Sequence, residues 1–159
     1  MKRIENNTIT YTNVSVFLII LLILVVISIL LLSMVPPVSR DALTHHLAVP
    51  KLWLNNGGIY ETPHLKVSYY PMNLDLIYLI PLYFGNDIIQ KYIHFAFALL
   101  TAILIFSYLI KRINFQYGLL GALFFLSMPV IVNLSISAYV DLGLIFFSTA
   151  SLFYLLKWK

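Results

Sequence analysis

The sequence predicts an all-α polytopic membrane protein with about four to five transmembrane helices and one external loop that carries short interfacial helices. Hydrophobic residues make up 61% of the 159 residues. Charged residues make up only 10%, whereas roughly a quarter of the residues in soluble domains are charged. Uncharged runs of about 20 residues recur along the chain, and a helix of that length crosses a bilayer.

Charge and cysteine content exclude several classes of function. The net charge of +4 comes from cations that flank the apolar runs and do not form one basic face. Nucleic acid is therefore not an expected partner. The chain has no cysteine, which excludes disulfides, thiolate metal ligands and a cysteine nucleophile.

Residues 1–13 are polar and predict a short cytoplasmic tail, and residues 14–35 predict the first span. This span has 22 uncharged residues, or about 33 Å of helix. No small-residue cleavage site follows it, so we interpret it as a retained span and not as a signal peptide. Lys2 and Arg3 place the N-terminus in the cytoplasm by the positive-inside rule. The chain then emerges on the outer face.

Residues 36–71 form the predicted external loop, which holds more ionisable groups than any other part of the chain. Two consecutive prolines at its start end the first helix. A second, shorter helix can begin with Ser39 or Asp41 as its cap. Pro50 should kink or restart that helix near Val49.

The second helix has the pattern of a helix lying in the membrane interface. Leu43, Leu47 and Leu54 recur on one side, while Asp41 and His45 share the polar side. Two interpretations of Asp41 stay open at this point. It is either a functional carboxylate or an acidic residue that stabilises a helix start through capping and the helix dipole.

Adjacent histidines at positions 45 and 46 predict no metal site. Side chains one residue apart diverge by about 100° on an α-helix, so His45 and His46 do not readily bind one ion. The sequence supports no other set of ligands for a divalent metal, and the cofactor requirement is unknown. A single histidine can still contact a substrate.

Residues 72–159 are predicted to hold the remaining helices. The segment 72–85 is short for a crossing and either spans the bilayer or dips in and returns. Further spans are predicted at 88–110, 117–135 and 138–156. The positive-inside rule favours the returning version, because it places both later groups of cations inside.

Ionisable residues in or next to apolar segments are costly and are therefore candidates for function. Asp141, at the start of the last span, is the best of these, with a helix-capping role as the alternative. Asp75 and Lys91 are expected to be interfacial or paired with each other. His94 is interpreted as a hydrogen-bonded residue between helices.

A family resemblance rests on the order of these features. The loop opens with Ser-Arg-Asp-Ala-Leu-Thr-His-His-Leu-Ala-Val-Pro-Lys-Leu-Trp-Leu, and Tyr-Tyr-Pro then leads a hydrophobic helix. This order resembles the start of GT-C superfamily glycosyltransferases, more narrowly family 39, ArnT-like and RgtA-like proteins related to protein mannosyltransferases. The later Leu-Leu-Gly-Ala-Leu-Phe-Phe-Leu-Ser-Met-Pro and Ala-Tyr-Val-Asp are similar to their paired fourth and fifth helices.

The resemblance implies an activity and a set of site residues. Such enzymes transfer a sugar from a polyprenyl-phosphate donor to a glycan, lipid or protein acceptor on the outer face of the bacterial plasma (inner) membrane. It implies that Asp41 accepts the proton of the acceptor hydroxyl and that Asp141 is a second acidic residue of the same cavity. The candidate substrate-binding residues are Arg40, His45, Lys51, Lys66 and Tyr70.

The chain also departs from that family. Tyr69 and Tyr70 stand before Pro71, where some relatives carry an acidic residue and lysine, or a histidine, so a metal site there is not expected. Family members continue well beyond 159 residues, and the chain is therefore interpreted as an N-terminal fragment whose donor cavity is expected to be incomplete. A non-catalytic transporter or flippase-like subunit that handles a lipid phosphate is the alternative function, and a nonfunctional remnant is a third reading.

Overall fold

A computed structural model describes residues 2–158 of the chain, with side chains from Thr12 to Trp158. Within these residues all regular secondary structure is helical, which confirms the predicted all-α class. The α-helices are α1 (Lys2–Leu32), α2 (Ala48–Asn55), α3 (Asn73–Tyr83), α4 (Ile89–Arg112), α5 (Phe115–Ser127), α6 (Pro129–Ser135) and α7 (Asp141–Lys157). A π-helical turn (Ala42–His46) precedes α2, and a 3₁₀ turn (Lys66–Tyr69) precedes α3.

The first span covers Thr12–Leu32 and therefore ends earlier than the predicted range 14–35. Pro36 explains the early end, because a proline ring clashes with the carbonyl four residues before it, here that of Leu32. The residue before a proline also disfavours helix. The cytoplasmic prediction for the first residues rests on side chains that lie outside the described part of the chain.

The prediction of four to five spans is supported only in part. Among the described residues, two helices are long and apolar enough to cross a membrane, namely Thr12–Leu32 and Ile89–Arg112. A third crossing exists if α5 and α6 count as one span, although they meet at a bend of 66°. Pro129 at the start of α6 causes that break, since it lacks the amide hydrogen that a continuous helix needs.

Helix α4 begins beside the end of α1. The Lys91 ammonium donates to the carbonyl of Val35 at 2.6 Å, and the Tyr92 hydroxyl donates to the carbonyl of Leu30 at 3.3 Å. Residues 33–88 therefore leave and return at one end of the helix pair, which we name the loop end. Residues 72–85 therefore do not connect the two ends of the helix pair. The returning version of the topology requires this arrangement.

The opposite end gathers the later cations. Helix α7 starts next to the first third of α4, where the Leu142 amide donates to His94 Nε2. It finishes near the end of α4, where the rings of Tyr108 and Phe153 stack at 4.8 Å. The two helices therefore run parallel. The cations at their C-terminal ends line one cleft, and we name this end of the molecule the basic end: Lys111, Arg112 and Lys157.

Small residues let α5 approach α4 closely. A Cβ atom at Gly118 would lie 2.9 Å from Cδ2 of Phe106 and 3.2 Å from its carbonyl oxygen. A Cβ atom at Gly121 would lie 2.3 Å from Cδ1 of Leu109. Small residues at helix interfaces bring backbones together in membrane proteins. The two glycines thus allow the return of the chain from the basic end.

The Gly118→Val variant should lose stability by about 1–3 kcal/mol, because the new side chain overpacks against helix backbone that cannot move aside. Thermal unfolding of the purified chain in detergent measures the effect. Gly58→Val is the matched control, since nothing lies within 4 Å of a Cβ atom at that exposed position. Equal midpoints for the two variants would contradict the close α4 and α5 contact.

Candidate functional site at the loop end

The π-helical turn sets the direction of every side chain near the start of the loop. Its backbone closes with a bond from the Leu47 amide to the Ala42 carbonyl, five residues back, at 2.9 Å. This wider ring rotates the side chains relative to an α-helix. Leu47 is consequently buried while Leu43 is 48% exposed. The predicted stripe of Leu43, Leu47 and Leu54 on one side is therefore wrong.

Asp41 stands at the head of this turn and its side chain is exposed. It occupies the capping position, but its side chain makes no capping hydrogen bond. The Ser39 hydroxyl does not supply the bond either, because its oxygen has no hydrogen-bond partner among the described residues. Neither residue caps the helix as predicted. The Asp41 carboxylate is thus open to a ligand.

The rings of His45 and His46 lie face to face. Their centroids are 4.3 Å apart and their planes differ by 18°. The predicted divergence of about 100° assumed an α-helix, and the π turn replaces it with this stack. In the part of the chain with described side chains, no group of three or more histidine, aspartate or glutamate residues could hold a metal ion.

A buried carboxylate holds one of these rings. Asp75, on α3, is 1% exposed, and His46 Nδ1 lies 2.9 Å from its Oδ1. A carboxylate accepts a hydrogen bond, so Nδ1 donates to it, and Nε2 is the ring nitrogen that remains for another partner. An imidazole fixed in this way is suited to receive a proton. Among the described side chains, this pair is a second candidate acid and base group besides Asp41.

The pairing of Asp75 with Lys91, one of the two expected arrangements, is wrong. Asp75 bonds to His46, while the Lys91 ammonium bonds to the backbone of Val35. Sequence reasoning missed the pair because its members are 29 positions apart. The available signal was a single carboxylate inside an apolar run directly after Tyr-Tyr-Pro.

Hydrogen bonds join α3 and α4 to the segment that enters α7. The Tyr78 hydroxyl donates to the carbonyl of Tyr139, whose ring lies 5.6 Å from that of His46. His94 Nδ1 lies 2.9 Å from the carbonyl oxygen of Ser137, and its Nε2 accepts from the Leu142 amide at 3.0 Å. The interpretation of His94 as a bonded residue between helices agrees with these contacts.

Asp141 occupies the first turn of α7 at the loop end, and it is exposed. The helix has no side-chain capping bond, so the predicted capping alternative for Asp141 is wrong. Its charge still complements the positive end of the helix dipole. Both candidate acidic residues, Asp41 and Asp141, therefore lie at the same end of the molecule.

His45 occupies a partly buried position between the other rings. Burial lowers the pKa of His45, and the nearby His46 adds to the lowering, while the carboxylates of Asp75 and Asp41 oppose it. Its Nε2 is buried without a hydrogen-bond partner among the described residues. The edge of Tyr70 approaches its ring, with centroids 5.9 Å apart. Both Tyr70 and Asp41 thus flank His45.

The three predicted cations of the loop do not gather at one point beside the histidine rings. Arg40 and Lys66 are exposed. The Lys51 ammonium lies 3.6 Å from a carboxylate oxygen of Asp87, in the turn before α4. Exposed pairs of this kind contribute little free energy. Lys51 is therefore free to leave Asp87 for another anion at little cost.

Comparison with known proteins identifies no relative of this chain. No protein family, no curated protein and no solved structure gives a significant match. The resemblance to the GT-C superfamily therefore stays a prediction, and the site must be argued from its own chemistry. That chemistry comprises an exposed carboxylate, two stacked imidazoles and a buried carboxylate that orients one of them.

Proposed function

We propose that this chain acts in sugar transfer from a polyprenyl-phosphate donor to an acceptor on the outer face of a membrane. The observation that carries the proposal is the exposed carboxylate of Asp41, which follows the first span and makes no capping hydrogen bond. It lies near His45, whose ring stacks on the ring of His46 in the His46–Asp75 pair. Asp41 is exposed, so an acceptor hydroxyl that arrives from water can reach its carboxylate.

The proposed reaction is a displacement at the anomeric carbon of the sugar. The acceptor hydroxyl oxygen forms the new bond to that carbon while the bond to the donor's phosphate oxygen breaks. Asp41 takes the hydroxyl proton as the bond forms. The polyprenyl phosphate leaves with the bonding electron pair, and nearby cations stabilise its charge. Arg40, Lys51 and Lys66 are the candidate cations of the loop.

The distribution of charge supports an orientation. Lys111, Arg112 and Lys157 share the basic end, and short cationic segments favour the cytoplasm. The loop end then faces outward, in a bacterial plasma membrane with the N-terminus inside. In this arrangement the bent α5 and α6 pair and the 17-residue α7 supply the crossings beyond α1 and α4.

A transfer assay tests the proposal. The purified chain is reconstituted in vesicles with a labelled polyprenyl-phosphate sugar, together with lipid, glycan and peptide acceptors. We expect labelled acceptor and free polyprenyl phosphate in equal amounts. Movement of the donor between leaflets without any labelled acceptor would contradict sugar transfer and favour the non-catalytic transporter or flippase-like alternative.

A further inference from the structure

A second cleft lies at the loop end, where the chain leaves α1. It has a volume of about 290 Å³. The coil after α1, the first turn of α4 and the end of α6 form its walls. Its polar lining consists of Ser39, Lys91, Asn133 and Ser137, and its other lining residues are apolar. Asp41 and the His46–Asp75 pair are not part of this lining.

Lys91 is a buried cation without an acidic partner. It is 4% exposed, and its ammonium donates one hydrogen bond, to the Val35 carbonyl. An ammonium carries three hydrogens, so two donors remain. Among the described side chains it forms no ion pair within 4 Å. The nearby Asp87 carboxylate acts on it only from a longer distance and is paired with Lys51 at 3.6 Å. Burying such a charge is costly unless an anion compensates it.

The Ser39 hydroxyl is a second open donor in the cleft besides Lys91. The Ser39 oxygen is buried and has no hydrogen-bond partner among the described residues. The Ser137 hydroxyl donates to the Asn133 carbonyl at 3.0 Å, which holds the second wall in place. No acidic residue lines the cleft. A ligand that offers several acceptor oxygens and negative charge would satisfy both Lys91 and Ser39.

We propose that this cleft binds a phosphate group, with the Lys91 ammonium and the Ser39 hydroxyl as its donors. Apolar side chains of Leu32, Val35 and Ile136 line the same cleft, so a phosphate ester with a hydrocarbon chain fits better than a free ion. The cleft lies at the end of a membrane span, which is the depth of lipid headgroups. This site goes beyond the proposed sugar transfer, since phosphate binding here requires no reaction.

Lipid binding to the purified full chain tests the proposal by native mass spectrometry. The probes are dioleoyl phosphatidic acid and dioleoylglycerol, which differ only in the phosphate. We expect phosphatidic acid to bind and dioleoylglycerol to bind far more weakly. Competition with inorganic phosphate distinguishes a site for free phosphate from a site for a lipid phosphate ester. Displacement of the lipid shows that the phosphate group alone is recognised. Lipid binding that depends on Lys91 and persists without displacement shows that the ester is required.

The variants assign the binding to this cleft. Lys91→Met should weaken phosphatidic acid binding by about ten-fold or more, because a charged hydrogen bond is lost. Lys111→Met, at an exposed cation of the basic end, should stay within about two-fold of the wild type. Ser39→Ala leaves the Lys91 to Val35 bond in place and decides the matter if Lys91→Met fails to fold. Unchanged binding in Ser39→Ala and in folded Lys91→Met, or equal binding of dioleoylglycerol, would overturn the proposal.

Discussion

Replacement of Asp41 by asparagine is expected to reduce the rate of sugar transfer by about 10²–10⁴-fold, the usual contribution of a positioned general base. Asparagine keeps the shape of the side chain but cannot take the proton of the acceptor hydroxyl. Because Asp41 is exposed and makes no capping bond, the substitution should leave the fold intact. Initial rates of acceptor labelling in vesicles measure the loss.

The matched control for Asp41 is Glu61→Gln. Glu61 is another exposed carboxylate of the same loop, and it accepts a hydrogen bond from the Tyr69 hydroxyl. Its removal should change the transfer rate by less than about two-fold. If Asp41→Asn and Glu61→Gln transfer sugar equally well, Asp41 is not the base. His46 would then become the group to substitute next.

Asp75→Ala is expected to destabilise the fold by about 1–3 kcal/mol, the usual cost of leaving a buried hydrogen-bond donor without its acceptor. His46 would lose the acceptor of its Nδ1 hydrogen in a place where only 10% of its side chain is exposed. Water cannot replace a buried acceptor at that position. Unfolding midpoints in detergent at one fixed pH measure the change.

Asp87→Ala is the control for this effect. Its pair with Lys51 spans 3.6 Å, with side chains 42% and 49% exposed, so its loss should cost about 0–1 kcal/mol. The double variant His46→Leu with Asp75→Leu should recover part of the stability, because apolar residues fill the space without a stranded polar group. A loss for Asp75→Ala no larger than for Asp87→Ala would show that the pair does not hold α3 to the loop.

The helical class and the two long spans could be predicted from composition and run length alone. Apolar stretches at 14–35 and 88–110 predicted the apolar helical segments Thr12–Leu32 and Ile89–Arg112 to within three residues at each end. The number of crossings could not be predicted in the same way. The mean hydropathy of residues 117–135 does not show the break before Pro129. The backbone bends there by 66°, because proline lacks the amide hydrogen that would continue the helix.

The candidate site could be predicted only in part, since its geometry depends on contacts far apart in sequence. Asp41 was predicted from its position after the first span, and its role stays a prediction. The His46–Asp75 pair and the open donors of Lys91 depend on tertiary packing of α3 and α4 against the loop. The π turn was also hidden, since α-helical periodicity was assumed for the residues after Asp41.

In the proposed orientation, the loop end and the basic end lie on opposite sides of the membrane, with the loop end outside. The chain has no cysteine, so single cysteines can be placed at Val38, which is 81% exposed, and at Ile113, which is 56% exposed. An impermeant maleimide added to intact cells should label Val38→Cys at once and Ile113→Cys only after permeabilisation. Labelling of Ile113→Cys from outside, or of both positions from one side, would contradict the account.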